Sequence, residues 1–126
     1  MKILLVDDSL AMRRIQKNVL LSLGFNDVIE AADGQEAMQK LKENNCELIL
    51  SDWNMPVMDG LTFLKTVKAD RNFKAIPVIM VTSESGKAQI IEAIKNGAAN
   101  YVVKPFTKEI IQQKIQTVIS QPPAGA

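Results

Sequence analysis

Ile3-Leu4-Leu5-Val6-Asp7-Asp8 places four apolar residues directly before two acids. The pattern returns three times. Leu48-Ile49-Leu50-Ser51 stops at Asp52, Val78-Ile79-Met80-Val81 at Thr82, and Tyr101-Val102-Val103 at Lys104. Runs this short and this apolar read as strands buried on both faces, the habit of parallel sheets. If they lie parallel in one sheet, their carboxyl ends share one edge. Three carboxylates, a hydroxyl and an ammonium then converge in the crevice where open α/β sheets bind ligands.

Between these runs the spacing turns helical. Met12, Ile15, Val19 and Leu23 keep helical spacing, with Gly24 as the stop. Val28-Ile29 makes a short further strand. Asp33-Gly34-Gln35-Glu36 reads as a capping box that opens a helix with Ala37, Met38 and Leu41 inward. Met55-Pro56 breaks the chain after Asp52, and Asp59-Gly60 opens a helix with Leu61, Leu64 and Val67 on one face. A helix from about Gly86 to Asn96 stops at Gly97. In it, Ile91 and Ile94 fit the core spacing and Ile90 falls nearer the rim. Lys104-Pro105 is a turn that could hold the ammonium rigidly, a cis peptide bond being one way to do so. Thr107 caps the last helix, Phe106 is placed to staple onto Ile111, and Ile111, Ile115 and Val118 face inward. Gln121 to Ala126, rich in Pro and Ala, reads as a frayed tail. Five strands alternating with five helices imply a parallel sheet covered on both faces, with right-handed crossovers.

Bulk properties narrow the chemistry. The 126 residues suit one domain, and 47% apolar with 23% charged residues is ordinary for a globular protein. A net charge of +1 offers no basic field for nucleic acid. The lone Cys46 excludes an internal disulfide and reads as a small buried side chain. The absence of histidine removes zinc sites of the usual kind and Ser-His or Cys-His catalysis. No secretory signal and no run of transmembrane length is visible, so a cytoplasmic setting is expected.

Asp7, Asp8 and Asp52 are the strongest chemical signal. Two unit charges about 4 Å apart repel by roughly 4 kcal/mol at an effective dielectric near 20. A fold that gathers three carboxylates must protonate them, hydrate them or bind a cation. An all-oxygen site with open positions suits Mg²⁺. The plainer alternative is that Asp7-Asp8 caps the first helix, a task Ser9 performs equally well. Lys104 either neutralises the acids or waits for an anion. Phosphoryl transfer needs an arrangement of the second kind, because its catalysis is mostly positioning and charge stabilisation. Asp52 would then be the nucleophile and carry an acyl phosphate. Thr82 could donate to a phosphoryl oxygen or simply cap a loop. Tyr101 reads equally as an ordinary half-buried aromatic. Trp53, beside Asp52, is a natural optical probe.

Val6-Asp7-Asp8-Ser9, Met12-Arg13-Arg14-Ile15, Asp52-Trp53-Asn54-Met55-Pro56, Met58-Asp59-Gly60 and Tyr101-Val102-Val103-Lys104-Pro105-Phe106, in this order and spacing, resemble a bacterial response-regulator receiver domain. Within that family the likeness is to the stand-alone chemotaxis regulators, and it runs from Met1 to about Ser120. The resemblance implies a flavodoxin-like, doubly wound five-stranded sheet of order 2-1-3-4-5 with five helices. It implies one receiver domain over 1–120 and a flexible tail over 121–126. It makes Asp52 the phosphoacceptor. Asp8, Asp52 and the backbone carbonyl of Asn54 would ligate Mg²⁺, with Asp7 acting largely through water. Lys104 would contact the phosphoryl group, and Thr82 and Tyr101 would be the switch pair. The side chains of Asn54 and Glu84 lie where the family varies its dephosphorylation rate.

In that reading phosphorylation moves Thr82, turns Tyr101 inward and reshapes the face made by the fourth helix, fifth strand and last helix. Ile90, Ile94, Tyr101, Val103 and Lys114 are the candidate partner contacts, against the plainer alternative of scattered apolar exposure at a helix edge. The expected partners are a CheA-like histidine kinase, a FliM-like flagellar motor switch protein and a phosphatase, with neither DNA nor membrane insertion, for a monomer. With no output domain after Ser120, output is expected through protein contacts. A single-domain phosphorelay carrier shares the same site. A Mg²⁺-dependent small-molecule phosphatase of the haloacid-dehalogenase type expects an acid where Asn54 stands. Flavin binding suits the fold, but Asp7-Asp8 would repel its phosphate unless a metal intervened.

Overall fold

The computed structural model describes residues 1–82, 87–104 and 107–120, the side chain of Ser120 excepted. The expected start of a helix at Gly86, the role of Glu84, the turn at Pro105, the Phe106 staple and the tail from Gln121 lie outside these residues.

The apolar runs are strands: β1 Lys2–Val6, β2 Asp27–Ala31, β3 Leu48–Asp52, β4 Val78–Thr82 and β5 Asn100–Val103. Between and after them run α1 Leu10–Ser22, α2 Gly34–Glu43, α3 Gly60–Ala69, α4 Lys87–Lys95 and α5 Lys108–Ser120. All five strands are parallel, in the order β2-β1-β3-β4-β5. β3 and β4 are buried at every position, as the centre of a sheet covered on both faces requires.

Alternation along the strands sorts the core into two layers. Leu4, Ile49, Val78 and Met80 pack with Ala37 and Leu41 of α2, Phe63, Leu64 and Val67 of α3, and Ala93 of α4. Ile3, Leu5, Leu48, Leu50, Ile79 and Val81 pack with Leu20 of α1 and Ile111, Ile115 and Val118 of α5. The helices start where the sequence signals them. Ser9, Asp33, Asp59 and Thr107 each accept from a backbone N–H three residues on, at 2.8–3.2 Å. Each such cap contributes about 1 kcal/mol. Gly24 and Gly97 follow α1 and α4 at φ +94° and +101°, a conformation that disfavours any side chain.

Two helices are rotated relative to their apolar spacing. On α1, Ile15 is 56% exposed, whereas Gln16 and Leu20 are buried. On α4, Ile91 and Ile94, which fit the core spacing, are 61% and 47% exposed. The buried residue is Ala93, with Gln89 and Ile90 half-buried one turn before it. In both helices a glutamine occupies the inward face and turns an isoleucine out. The reason lies at the strand ends.

Candidate functional site

Asp7 follows β1, Asp52 ends β3, Thr82 ends β4 and Lys104 follows β5. The sheet order puts β1 beside β3, so the two acids meet at one edge. Lys104 reaches back past the end of β4. Its Nζ lies 3.0 Å from Asp7 Oδ2 and 3.2 Å from Asp52 Oδ1. Asp7, Asp8 and Asp52 each offer an oxygen within 4.8 Å of the others. Folding thus brings together the acids and the lysine that the sequence singles out.

Asp7 is 1% exposed, yet both its oxygens are occupied. Oδ1 accepts from Ser9 N at 2.9 Å, and Oδ2 from Gln16 Nε2 at 3.1 Å as well as from Lys104. Its carbonyl accepts from Arg13 Nη1 at 2.6 Å, and Arg13 Nε also pairs with Glu30 on β2 at 3.2 Å. Three donors on one buried carboxylate fix its position. This is why Gln16 faces inward. Composition gave no sign of it, because a glutamine on an amphipathic helix reads as solvated surface.

Asp52 is 7% exposed, and its Oδ1 accepts from Trp53 N at 2.9 Å. Burial pushes its carboxyl above the usual carboxylate range. The Lys104 charge works against that rise, and Asp7 adds to it. Burial alone would pull the Lys104 ammonium down, but its bonds and charge contacts with Asp7 and Asp52 outweigh burial and raise it above the ordinary lysine value. Asp8 is exposed and lines a surface hollow with Asn54, Met55, Pro56 and Asp59. The donors at this edge are all oxygens, several of them anionic, the set preferred by a hard cation that keeps some of its water. Mg²⁺ fits such residues, whereas soft metals do not.

The loop after Asp52 is shaped by two constraints the sequence does not announce. Gly60 N donates to Trp53 O at 2.8 Å, and a Cβ on Gly60 would overlap the Asp52 carbonyl oxygen, so α3 packs its first turn directly on the phosphoacceptor candidate's backbone. Val57 sits at φ +67°, with Met58 N donating to Pro56 O at 2.7 Å across it. This is a tight γ-turn, and a β-branched residue there costs of order 1–3 kcal/mol. Asn54 is exposed at the start of this loop.

Thr82 is 3% exposed, and its Oγ1 donates to Gln89 Oε1 at 3.2 Å, which accounts for the inward turn of Gln89. Tyr101 is half-buried on β5. Lys114 Nζ lies 4.9 Å from its ring centroid and 3.2 Å from Asn100 Oδ1. Ile90 of α4 and Val103 of β5 are half-buried, and Ile94 of α4 is exposed. Cys46 is buried, and burial pushes its thiol up, away from the thiolate form that reacts.

Comparison with known proteins agrees with this geometry. The sequence profile of the response regulator receiver domain matches residues 3–116. The chain is 52% identical over 120 residues to chemotaxis protein CheY1 of Helicobacter pylori, covering 94% of this chain and 97% of that one. It is 48% identical over 120 residues to the CheY homolog of Campylobacter jejuni, covering 94% and 92%. Among solved structures, chemotaxis response regulator CheY4 of Vibrio cholerae superposes with TM-score 0.85 at 38% identity, covering 93% of this chain and 97% of that one. CheY in the CheX-CheY-BeF3-Mg complex of Borrelia burgdorferi gives TM-score 0.90 at 30% identity, covering 96% and 90%. The fold is flavodoxin-like, a strand order for which flavodoxin and CheY are the standard examples. The chain belongs to the response regulator receiver domain family and is similar over almost its whole length to chemotaxis regulators of the CheY type.

Proposed function

We propose that Asp52 accepts a phosphoryl group from a CheA-like histidine kinase in a Mg²⁺-dependent reaction, and that the modified chain binds a FliM-like motor switch protein in the cytoplasm. The observation that carries this reading is the convergence of Asp7, Asp8 and Asp52 around the Lys104 ammonium at the strand ends. Asp8, Asp52 and the Asn54 carbonyl would hold Mg²⁺, with Asp7, already committed to three donors, acting through water. When bound there, the ion supplies the positive charge that lets a phosphate approach three carboxylates.

The chain's own residues do the rest. One oxygen of Asp52 attacks phosphorus as the bond to the kinase's histidine breaks. Lys104 trades its contact with Asp52 for one with the phosphoryl oxygens. Thr82 turns its hydroxyl to the same group, and Tyr101 takes the inward rotamer. The face around Ile90, Ile94, Tyr101, Val103 and Lys114 changes with them. No external substrate is turned over; the catalysis serves the chain's own modification and its reversal. A further protein partner fits the same picture, since the Borrelia burgdorferi structure holds CheY together with a second protein, CheX.

The test is exposure to acetyl phosphate and Mg²⁺ followed by mass spectrometry. An adduct should map to Asp52 and be absent in Asp52→Asn or without the metal. An adduct on another residue, or one independent of metal, would refute the assignment.

A further inference from the structure

Thr82 ends β4 with its carbonyl held by Lys104 N at 2.6 Å. The sheet thus fixes its backbone, and the freedom left to it is rotation of the side chain. That side chain shares the strand face of Val78 and Met80, the face on which Ala93 of α4 packs. Its hydroxyl donates to Gln89 Oε1 at 3.2 Å, in the first turn of α4. A threonine hydroxyl carries one proton and donates one hydrogen bond at a time. Donation to Gln89 and donation to a phosphoryl oxygen therefore exclude each other.

We propose that Gln89 is a positioning residue that latches the Thr82 hydroxyl to α4 in the unmodified protein, so that phosphoryl capture at Asp52 must first unfasten that helix from the strand end. The inference rests on the phosphoacceptor reading of Asp52 and Thr82. Release falls one residue before Ile90, two before exposed Ile91 and five before exposed Ile94, so the loss of one bond is felt where α4 meets solvent. Linkage makes the effect reciprocal. A protein that grips α4 and draws Gln89 away removes that acceptor from the hydroxyl, and so raises the affinity of the site for a phosphoryl group.

Beryllofluoride with Mg²⁺, a phosphoryl stand-in, titrated into the full chain by calorimetry tests the latch. Gln89→Leu should tighten binding about two- to tenfold, the range of one neutral hydrogen bond. The same substitution in a Thr82→Ala background, which keeps Asp52 and the metal-binding acids, should change nothing. Gln89→Met repeats the experiment with an unbranched side chain, in case leucine disturbs the helix, and circular dichroism reports folding. Unchanged affinity in both variants, or equal tightening with and without the Thr82 hydroxyl, overturns the latch. If the unsubstituted chain binds no beryllofluoride, the phosphoacceptor reading falls and takes the latch with it. If it binds and Gln89 has no effect, the latch alone falls.

Discussion

Asp52 shows how a single side chain carries opposed demands. It must be ionised to attack phosphorus, yet it ends a strand buried along its length, and burial raises its pKa. An acid with a raised folded pKa weakens the native state once pH passes its unfolded value, near 4, because the unfolded chain ionises first. Below that value both states hold the proton and the cost vanishes. The cost grows with pH and levels off above the folded pKa. Asp52→Asn removes it, so in Mg²⁺-free buffer its urea midpoint should exceed that of the unsubstituted chain at pH 7, and the gap should close toward pH 4. Lys104 does not blur this comparison. Its raised pKa contributes stability that is fully present below the unfolded lysine value of about 10.4 and is lost as pH climbs through the folded one. A gap that is constant across the acid range would mean that the Asp52 carboxyl is not raised on folding.

At the scale of elements, α4 separates apolar content from burial. It carries three isoleucines, but the residue it buries in the core is Ala93. A small residue at the contact brings the helix close to the sheet, near enough for Gln89 to reach Thr82. Two substitutions should therefore rank against intuition. Ile94→Ser should stay within about 0.5 kcal/mol of the unsubstituted chain, because nearly half of its surface is already exposed. Ala93→Leu should cost about 1–3 kcal/mol by overpacking. Denaturant unfolding measures both, and the opposite order would put α4 in the register that its isoleucines suggest. The same logic applies to α1, where Ile15 faces water and Gln16 faces Asp7.

Taken whole, the molecule is a covered sheet with three acids and a lysine gathered at one edge, and that edge is where a ligand can stabilise it. A cation that binds only the folded state adds stability by mass action, about 2.7 kcal/mol at roughly 100 times its dissociation constant. Mg²⁺ should raise the melting temperature of the chain measurably by calorimetry, and Asp8→Asn, at the exposed member of the cluster, should reduce the rise sharply. A rise that survives Asp8→Asn undiminished would place the ion elsewhere. The proposed switch would also be a property of the whole. Moving a population from 1:99 to 99:1 requires about 5.5 kcal/mol of differential stabilisation. One threonine bond would supply only part of that, and Lys104, Tyr101 and a bound partner would have to supply the remainder.

Much of this was legible in the chain. Four apolar runs, each stopping at a reactive side chain, determined the central strands and therefore which residues share an edge, because parallel strands align their carboxyl ends. Ser9, Asp33, Asp59 and Thr107 announced their helices, since a cap is a local contact three residues long. Only the tertiary structure decided how α1 and α4 are rotated and why Gly60 must lack a side chain. Apolar periodicity assumes that polar residues face water. Gln16 and Gln89 face inward because a buried carboxylate and a hydroxyl wait for them at the strand ends, and such a partner becomes visible only when distant segments meet.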